Sequence, residues 1–194
     1  MRTFIAIEIP GEIKEEMAKI QEQLKHSSAV DAGWTRPEGI HLTLKFLGEA
    51  PEANVPEIMN VLTGIMVGVE TFSLDLAGVG TFPNPASARV VWVGIGGETD
   101  RLLKLQAEVE DGMARLGFER ENRKFTPHLT LGRIKYIRSR KAWLGALEIV
   151  KDIRFPSFVV NAISLMKSEL KPSGAAYTEL GKIEMSSLQH GSRA

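Results

Sequence analysis

The chain has 194 residues, 24 Lys and Arg against 24 Asp and Glu, and no cysteine. Zero net charge argues against extended non-specific nucleic-acid binding, and the missing cysteine excludes disulfides, thiolate metal sites and a cysteine nucleophile. No apolar run is long enough to cross a bilayer and the start lacks the basic and apolar regions of a signal peptide, so a cytoplasmic protein without a membrane partner is expected.

Residues 3–9 are β-branched and apolar, closed by Pro10-Gly11, and predict a strand. Ile13, Met17, Ile20 and Leu24 mark one face of a helix over about 12–25. Residues 33–37 read as a connection with Trp34 packed, and 40–47 as a strand ended by Gly48. A helix over 55–67 is expected with Val55, Met59, Leu62 and Met66 inward, then a strand over 72–76. Residues 78–85 are rich in turn formers and read as a loop holding Phe82. A strand over 89–95 leads to a helix capped by Thr99 and running to Leu116, with Gly117 past its end. A strand over 128–133, a short helix near 139–147 and a late hairpin of 158–170 and 177–185 complete the domain, 1–186. Residues 187–194 are polar and small and read as a flexible tail.

One tetrapeptide occurs twice. His41-Leu42-Thr43-Leu44 and His128-Leu129-Thr130-Leu131 lie 87 positions apart (128 − 41) and use two of the chain's four histidines. Around them, "strand, helix, loop, motif strand" recurs, an imperfect internal duplication. The implied fold is α+β: two pseudo-twofold-related lobes of mostly antiparallel sheet with outer helices. On a strand each copy puts its His and Thr on one face and drives its leucines into a core. Histidine titrates near neutrality, so a pair can act as acid and base. Flanking hydroxyls can hold the non-bridging oxygens of a phosphodiester as charge builds. No cofactor and no metal are expected, because no further ligand cluster accompanies the motifs.

His41-Leu42-Thr43-Leu44-Lys45-Phe46-Leu47-Gly48 and Pro127-His128-Leu129-Thr130-Leu131-Gly132-Arg133 resemble the two His-x-Thr-x motifs of the 2H phosphoesterase superfamily. Within it the chain looks like the bacterial and archaeal RNA 2′,3′-cyclic phosphodiesterases, formerly called 2′-5′ RNA ligases. Residues 2–7, Phe82-Pro83-Asn84-Pro85, residues 89–94 and residues 163–168 match that family's style. The resemblance implies a central cleft between the lobes, and hydrolysis of RNA 2′,3′-cyclic phosphate ends to 2′-phosphates, with reversible 2′-5′ ligation as a side activity. It implies His41 as general acid and His128 as general base, with Thr43 and Thr130 on the phosphate oxygens. The sequence is symmetric in the histidines and does not assign those roles itself. Partners would be RNA ends, cyclic nucleotides or tRNA-like fragments, and the protein a monomer. The competing readings are a non-catalytic RNA-end binding module and a sister phosphoesterase for another cyclic or 2′-5′ linked nucleotide.

Three further residues are substrate-binding candidates. Lys45 shares the face of His41 by alternation. Arg133 points away on a regular strand and qualifies only if the strand bends at Gly132. Phe82, outside any element, is a candidate for stacking on a base, whereas Phe46, Trp34 and Trp92 read as core. Residues 123–141 carry seven basic side chains and no acidic one (Arg123, Lys124, Arg133, Lys135, Arg138, Arg140, Lys141). They read either as a contact surface for RNA backbone or as a solvated face.

Overall fold

The computed structural model describes residues 1–171 and 174–185, so the tail expected at 187–194 lies outside the described residues. In order come β1 (Arg2–Glu8), α1 (Gly11–His26), β2 (Val30–Trp34), β3 (His41–Glu49), α2 (Val55–Met66), β4 (Phe72–Phe82) and β5 (Val90–Gly97). Then follow α3 (Thr99–Arg115), β6 (His128–Ile137), α4 (Arg140–Val150), β7 (Phe158–Val160), β8 (Ala162–Lys171) and β9 (Gly174–Glu184). The strands form two antiparallel sheets, β3-β1-β8-β9 and β2-β6-β5-β4-β7, and the class is α+β.

Each repeat supplies one neighbouring strand pair of a sheet, β1 with β3 at one edge of the first and β5 with β6 inside the second. The sheets are then completed by exchange. Strands β2 and β4, from the first half of the chain, join the second sheet, and the hairpin β8–β9 closes the first. The helices exchange too: α3 of the second repeat packs on β3, and α1 of the first is hydrogen-bonded to β6. One contiguous apolar core gathers side chains from both sheets and all four helices. The motif leucines sit in it: Leu42, Leu129 and Leu131 are fully buried and Leu44 is 3% exposed. Each contributes about 1.5–3 kcal/mol of transfer free energy, which anchors the motif strands from behind.

Four local expectations are corrected. The segment 33–37 begins inside β2, whose Trp34 lies over Gly132. The loop expected at 78–85 is mostly strand, because β4 runs on to Phe82. Its glycines hide the alternation and serve packing: a Cβ on Gly80 would come within 2.3 Å of the Trp92 ring. Gly78, at φ +75, makes the irregularity that keeps β4 paired with β5. In α2 the inward face is Ile58, Leu62 and Met66, with Val55 and Met59 half-buried. Thr99 is the first residue of α3 and not its cap; Glu98 holds that position, and its carboxylate accepts the Ser73 N–H at 2.6 Å.

Candidate active site

Both motif strands carry the same defect. Between Thr43 and Lys45, β3 has one residue more than β1 opposite it; between Thr130 and Gly132, β6 has one more than β5. These are β-bulges, and each places two consecutive residues on the core side: Leu44 with Lys45, and Leu131 with Gly132. Alternation then resumes in opposite phase. The residue after each bulge, Phe46 in β3 and Arg133 in β6, comes round to the face of the motif His and Thr, and both are exposed.

The bulge overturns the reading of Lys45. Its side chain is 2% exposed, and its ammonium pairs with Glu110 of α3 at 2.6 Å and donates to the Glu119 carbonyl at 2.9 Å. One extra residue turned it from the face of His41 to the buried side, so Lys45 is not available to a phosphate. The same geometry supplies the bend that Arg133 required.

Aromatic rings frame the two histidines. Phe4 stacks on His41 with centroids 4.5 Å apart and 26° between planes, and Tyr177 of β9 stands edge-on to both, 5.0 Å from His41 and 5.4 Å from Phe4. Tyr177 also lies against Gly39, where a Cβ would come within 2.9 Å of its ring. In the other sheet, Phe82 stands edge-on to His128 at 5.1 Å and leans on Trp92, the cross-strand neighbour of Thr130. Phe82 thus belongs to the end of β4, and Trp92 is half-buried on the face of Phe82 while its neighbours Val91 and Val93 are in the core. Phe46, 67% exposed, is not core either.

Each imidazole is held by the backbone two residues before it. His128 Nδ1 is 2.7 Å from the Thr126 carbonyl, and His41 makes its backbone hydrogen bond to Gly39. A carbonyl only accepts, so Nδ1 of His128 carries the proton and Nε2 is left to exchange a proton with a ligand.

Here the near-symmetry of the motifs ends. Burial among Phe4 and Tyr177 pushes the His41 imidazole down to about 4; the Gly39 hydrogen bond opposes this and the Lys14 charge adds to it. Burial also raises the Tyr177 phenol, while the positive charges of Arg133 and Arg2 pull it back. The charge of Arg133, from the second motif, is thus felt at the ring that packs on the first-motif histidine. The motif strands themselves approach one another.

The half-buried, neutral His41 has a consequence for stability. Between pH 6.5 and about 4 an unfolded chain protonates this residue and the folded chain does not. Stability is therefore held above pH 6.5 and lost as pH falls towards 4, by about 3 kcal/mol. Urea unfolding at pH 7 and pH 4.5 checks it: His41→Gln should show a smaller loss on acidification than the parent. Equal losses would mean that His41 is solvated in the folded state.

Sequence reasoning missed Tyr177 and Phe4. Neither carries a motif, and only the tertiary fold brings the rings from β1, the neighbour of β3, and β9, the far edge of the same sheet, to His41. Among the described residues no group of three or more His, Asp or Glu could hold a metal ion, and no helix is long and apolar enough to cross a membrane.

A family model described as LigT like phosphoesterase matches residues 7–92 and again 93–177, the two halves of the duplication. A Methanocaldococcus jannaschii protein named RNA 2′,3′-cyclic phosphodiesterase is 39% identical over 177 residues, covering 91% of this chain and 96% of the relative. A Thermotoga maritima protein of the same name is 38% identical, covering 93% of each. Among solved structures, one from Thermus thermophilus superposes with a TM-score of 0.80 at 29% identity, covering 95% of this chain and 98% of that one. E. coli LigT in complex with 3′-AMP superposes with a TM-score of 0.75 at 26% identity over the same shares.

Proposed function

The chain belongs to the LigT-like phosphoesterase family, and from that premise we propose that it hydrolyses RNA 2′,3′-cyclic phosphate ends to 2′-phosphomonoesters. The observation that carries the reading is the paired geometry: two imidazoles, each tied to the carbonyl two residues earlier, on motif strands that approach each other. The relatives bearing the name RNA 2′,3′-cyclic phosphodiesterase support the substrate.

In this reaction His128 accepts a proton from water through Nε2 as the water oxygen attacks phosphorus. The bond from phosphorus to the 3′ oxygen breaks, and His41 protonates the departing oxygen. Thr43, Thr130 and Arg133 hold the non-bridging oxygens, the guanidinium offering two parallel donors. At pH 7 His41 of the protein alone is neutral. The phosphodiester supplies the negative charge that this acid requires, since an opposite charge within about 4–6 Å favours the protonated imidazole. With a 5′-hydroxyl end in place of water, the same steps form a bond from its oxygen to phosphorus as the bond to the 3′ oxygen breaks, a 2′-5′ ligation that reverses when the 3′-hydroxyl attacks the linkage.

The deciding experiment is incubation with an oligonucleotide ending in a 2′,3′-cyclic phosphate, in the presence of chelator, with identification of the product. A 2′-phosphate is expected. A 3′-phosphate would reverse which oxygen leaves, turnover only after a divalent ion is restored would remove the metal-free account, and binding without turnover would leave an RNA-end binding module.

The basic stretch makes a separate prediction. Lys135, Arg138, Arg140 and Lys141 are exposed beyond Arg133, and Arg89 reaches alongside, its guanidinium 3.5 Å from the Lys135 carbonyl; Arg123 is engaged by Glu121. Arg138→Ala with Lys141→Ala should weaken binding of an oligonucleotide end and lower its salt dependence, while leaving a cyclic mononucleotide unaffected. Unchanged oligonucleotide binding would reduce the stretch to a solvated face.

A further inference from the structure

We propose that Gln21 and Gln106 are positioning residues, each holding the β-bulge of the motif that belongs to the other repeat. The inference rests on the hydrolase reading above. Gln21 lies on the buried face of α1 and is 2% exposed among Met17, Ile20 and Leu24. An amphipathic helix has no use for an amide there, and burying one is unfavourable unless its hydrogen bonds are made. They are made at the second motif. Gln21 Nε2 donates to the Leu131 carbonyl at 2.8 Å and to the Thr35 carbonyl at 2.6 Å. The Thr35 N–H donates to the same Leu131 carbonyl at 2.9 Å. One side chain therefore clamps β6 to the end of β2 at the residue where the bulge interrupts the ladder.

The first motif has the counterpart. Gln106 on α3 donates from Nε2 to the Leu44 carbonyl at 3.4 Å, a longer bond. Leu44 is the bulged residue of β3 and stands 87 positions before Leu131, the offset of the two motifs. In both strands a glutamine amide from the other repeat's helix meets the bulged leucine.

What the bulge decides is functional. It brings Arg133, and Phe46 in the other strand, to the face of the motif His and Thr. If the Leu131 carbonyl loses its clamp, Thr130 and Arg133 shift together relative to the phosphate. A misplacement of about 1 Å can cost on the order of a hundredfold in rate. The clamp is crossed, so damage to a helix of one repeat should be felt in the motif of the other. A general loss of stability would show no such pattern.

The test uses Gln21→Met and Gln106→Met, which remove the donors and keep the volume. On a 2′,3′-cyclic-phosphate substrate, folded Gln21→Met should lose about 10- to 100-fold in kcat/KM. That loss should be strongly non-additive with Arg133→Ala and additive with Thr43→Ala. Gln106→Met should show the reverse, with a smaller loss. Activity within about twofold of the parent, equal coupling to both motifs, or coupling to the motif of its own repeat would overturn the proposal. If Gln21→Met does not fold, the half-buried Gln106→Met carries the test. Amide hydrogen exchange answers without turnover: Gln21→Met should speed exchange at Thr35 and leave β3 around Leu44 unchanged, and uniform acceleration or none would overturn the clamp. A parent protein inactive on the cyclic phosphate would instead refute the hydrolase reading, which separates the two failures.

Discussion

Alanine at His41 or at His128 is expected to lower kcat by about 10²- to 10⁴-fold, because each substitution removes one proton transfer from the transition state. The double variant should be barely worse than either single one, since the two groups act as a unit. Thr43→Ala and Thr130→Ala should cost less and act on kcat, each removing one neutral hydrogen bond that tightens as charge builds. The roles separate with a substrate whose leaving oxygen has a low pKa and hardly needs protonation. His41→Ala should then recover most of its loss and His128→Ala should not. Recovery of His128→Ala instead would exchange the roles, in keeping with a His41 that is neutral at pH 7. Recovery of neither, with both proteins folded, would refute acid–base catalysis by this pair. The pH profiles add a second check. The profile of kcat/KM reports the free enzyme, where His41 titrates at about 4. That of kcat reports the complex, where the anionic phosphate raises it, so the limb due to His41 should move to higher pH. Coincident profiles would mean that the phosphate does not face His41.

Lys45→Ala is expected to destabilise the protein by about 3–5 kcal/mol, the cost of leaving one partner of a buried ion pair uncompensated. The Glu110 side chain is 13% exposed, and its other carboxylate oxygen is already buried without a partner. For a chain of this length, thermal unfolding should fall by about 10 °C or more. Adding Glu110→Leu to Lys45→Met should recover much of the loss, because the Glu119 carbonyl and the Glu121 N–H left behind belong to exposed residues that water can serve. A Lys45 that touched phosphate would behave otherwise, with KM for a cyclic mononucleotide rising and the melting temperature nearly unchanged. Parent-like stability of Lys45→Ala would refute the structural account of this residue.

Much of this molecule was legible in the chain because its signals are local and periodic. The apolar spacing of Ile13, Met17, Ile20 and Leu24 sufficed for α1, and two identical tetrapeptides sufficed for a pair of strands with leucines inward. The repeat of strand, helix and motif strand was enough for the class, α+β in two sheets. Strand β2 is only five residues long and half of β4 has its alternation masked by glycines, so both are legible only from the strands they pair with and from the Trp92 ring. The orientation of residues beyond the motifs was not local either. A bulge is one residue unmatched by the partner strand, so alternation counted from His41 put Lys45 on the wrong face, and counted from His128 it left Arg133 dependent on a bend at Gly132, until the pairing of β3 with β1 and of β6 with β5 was known. The difference between two histidines in identical tetrapeptides was likewise decided by tertiary structure. A pKa responds to burial, and the rings of Phe4 and Tyr177 that bury His41 come from strands 37 residues before it and 136 after it (41 − 4 and 177 − 41).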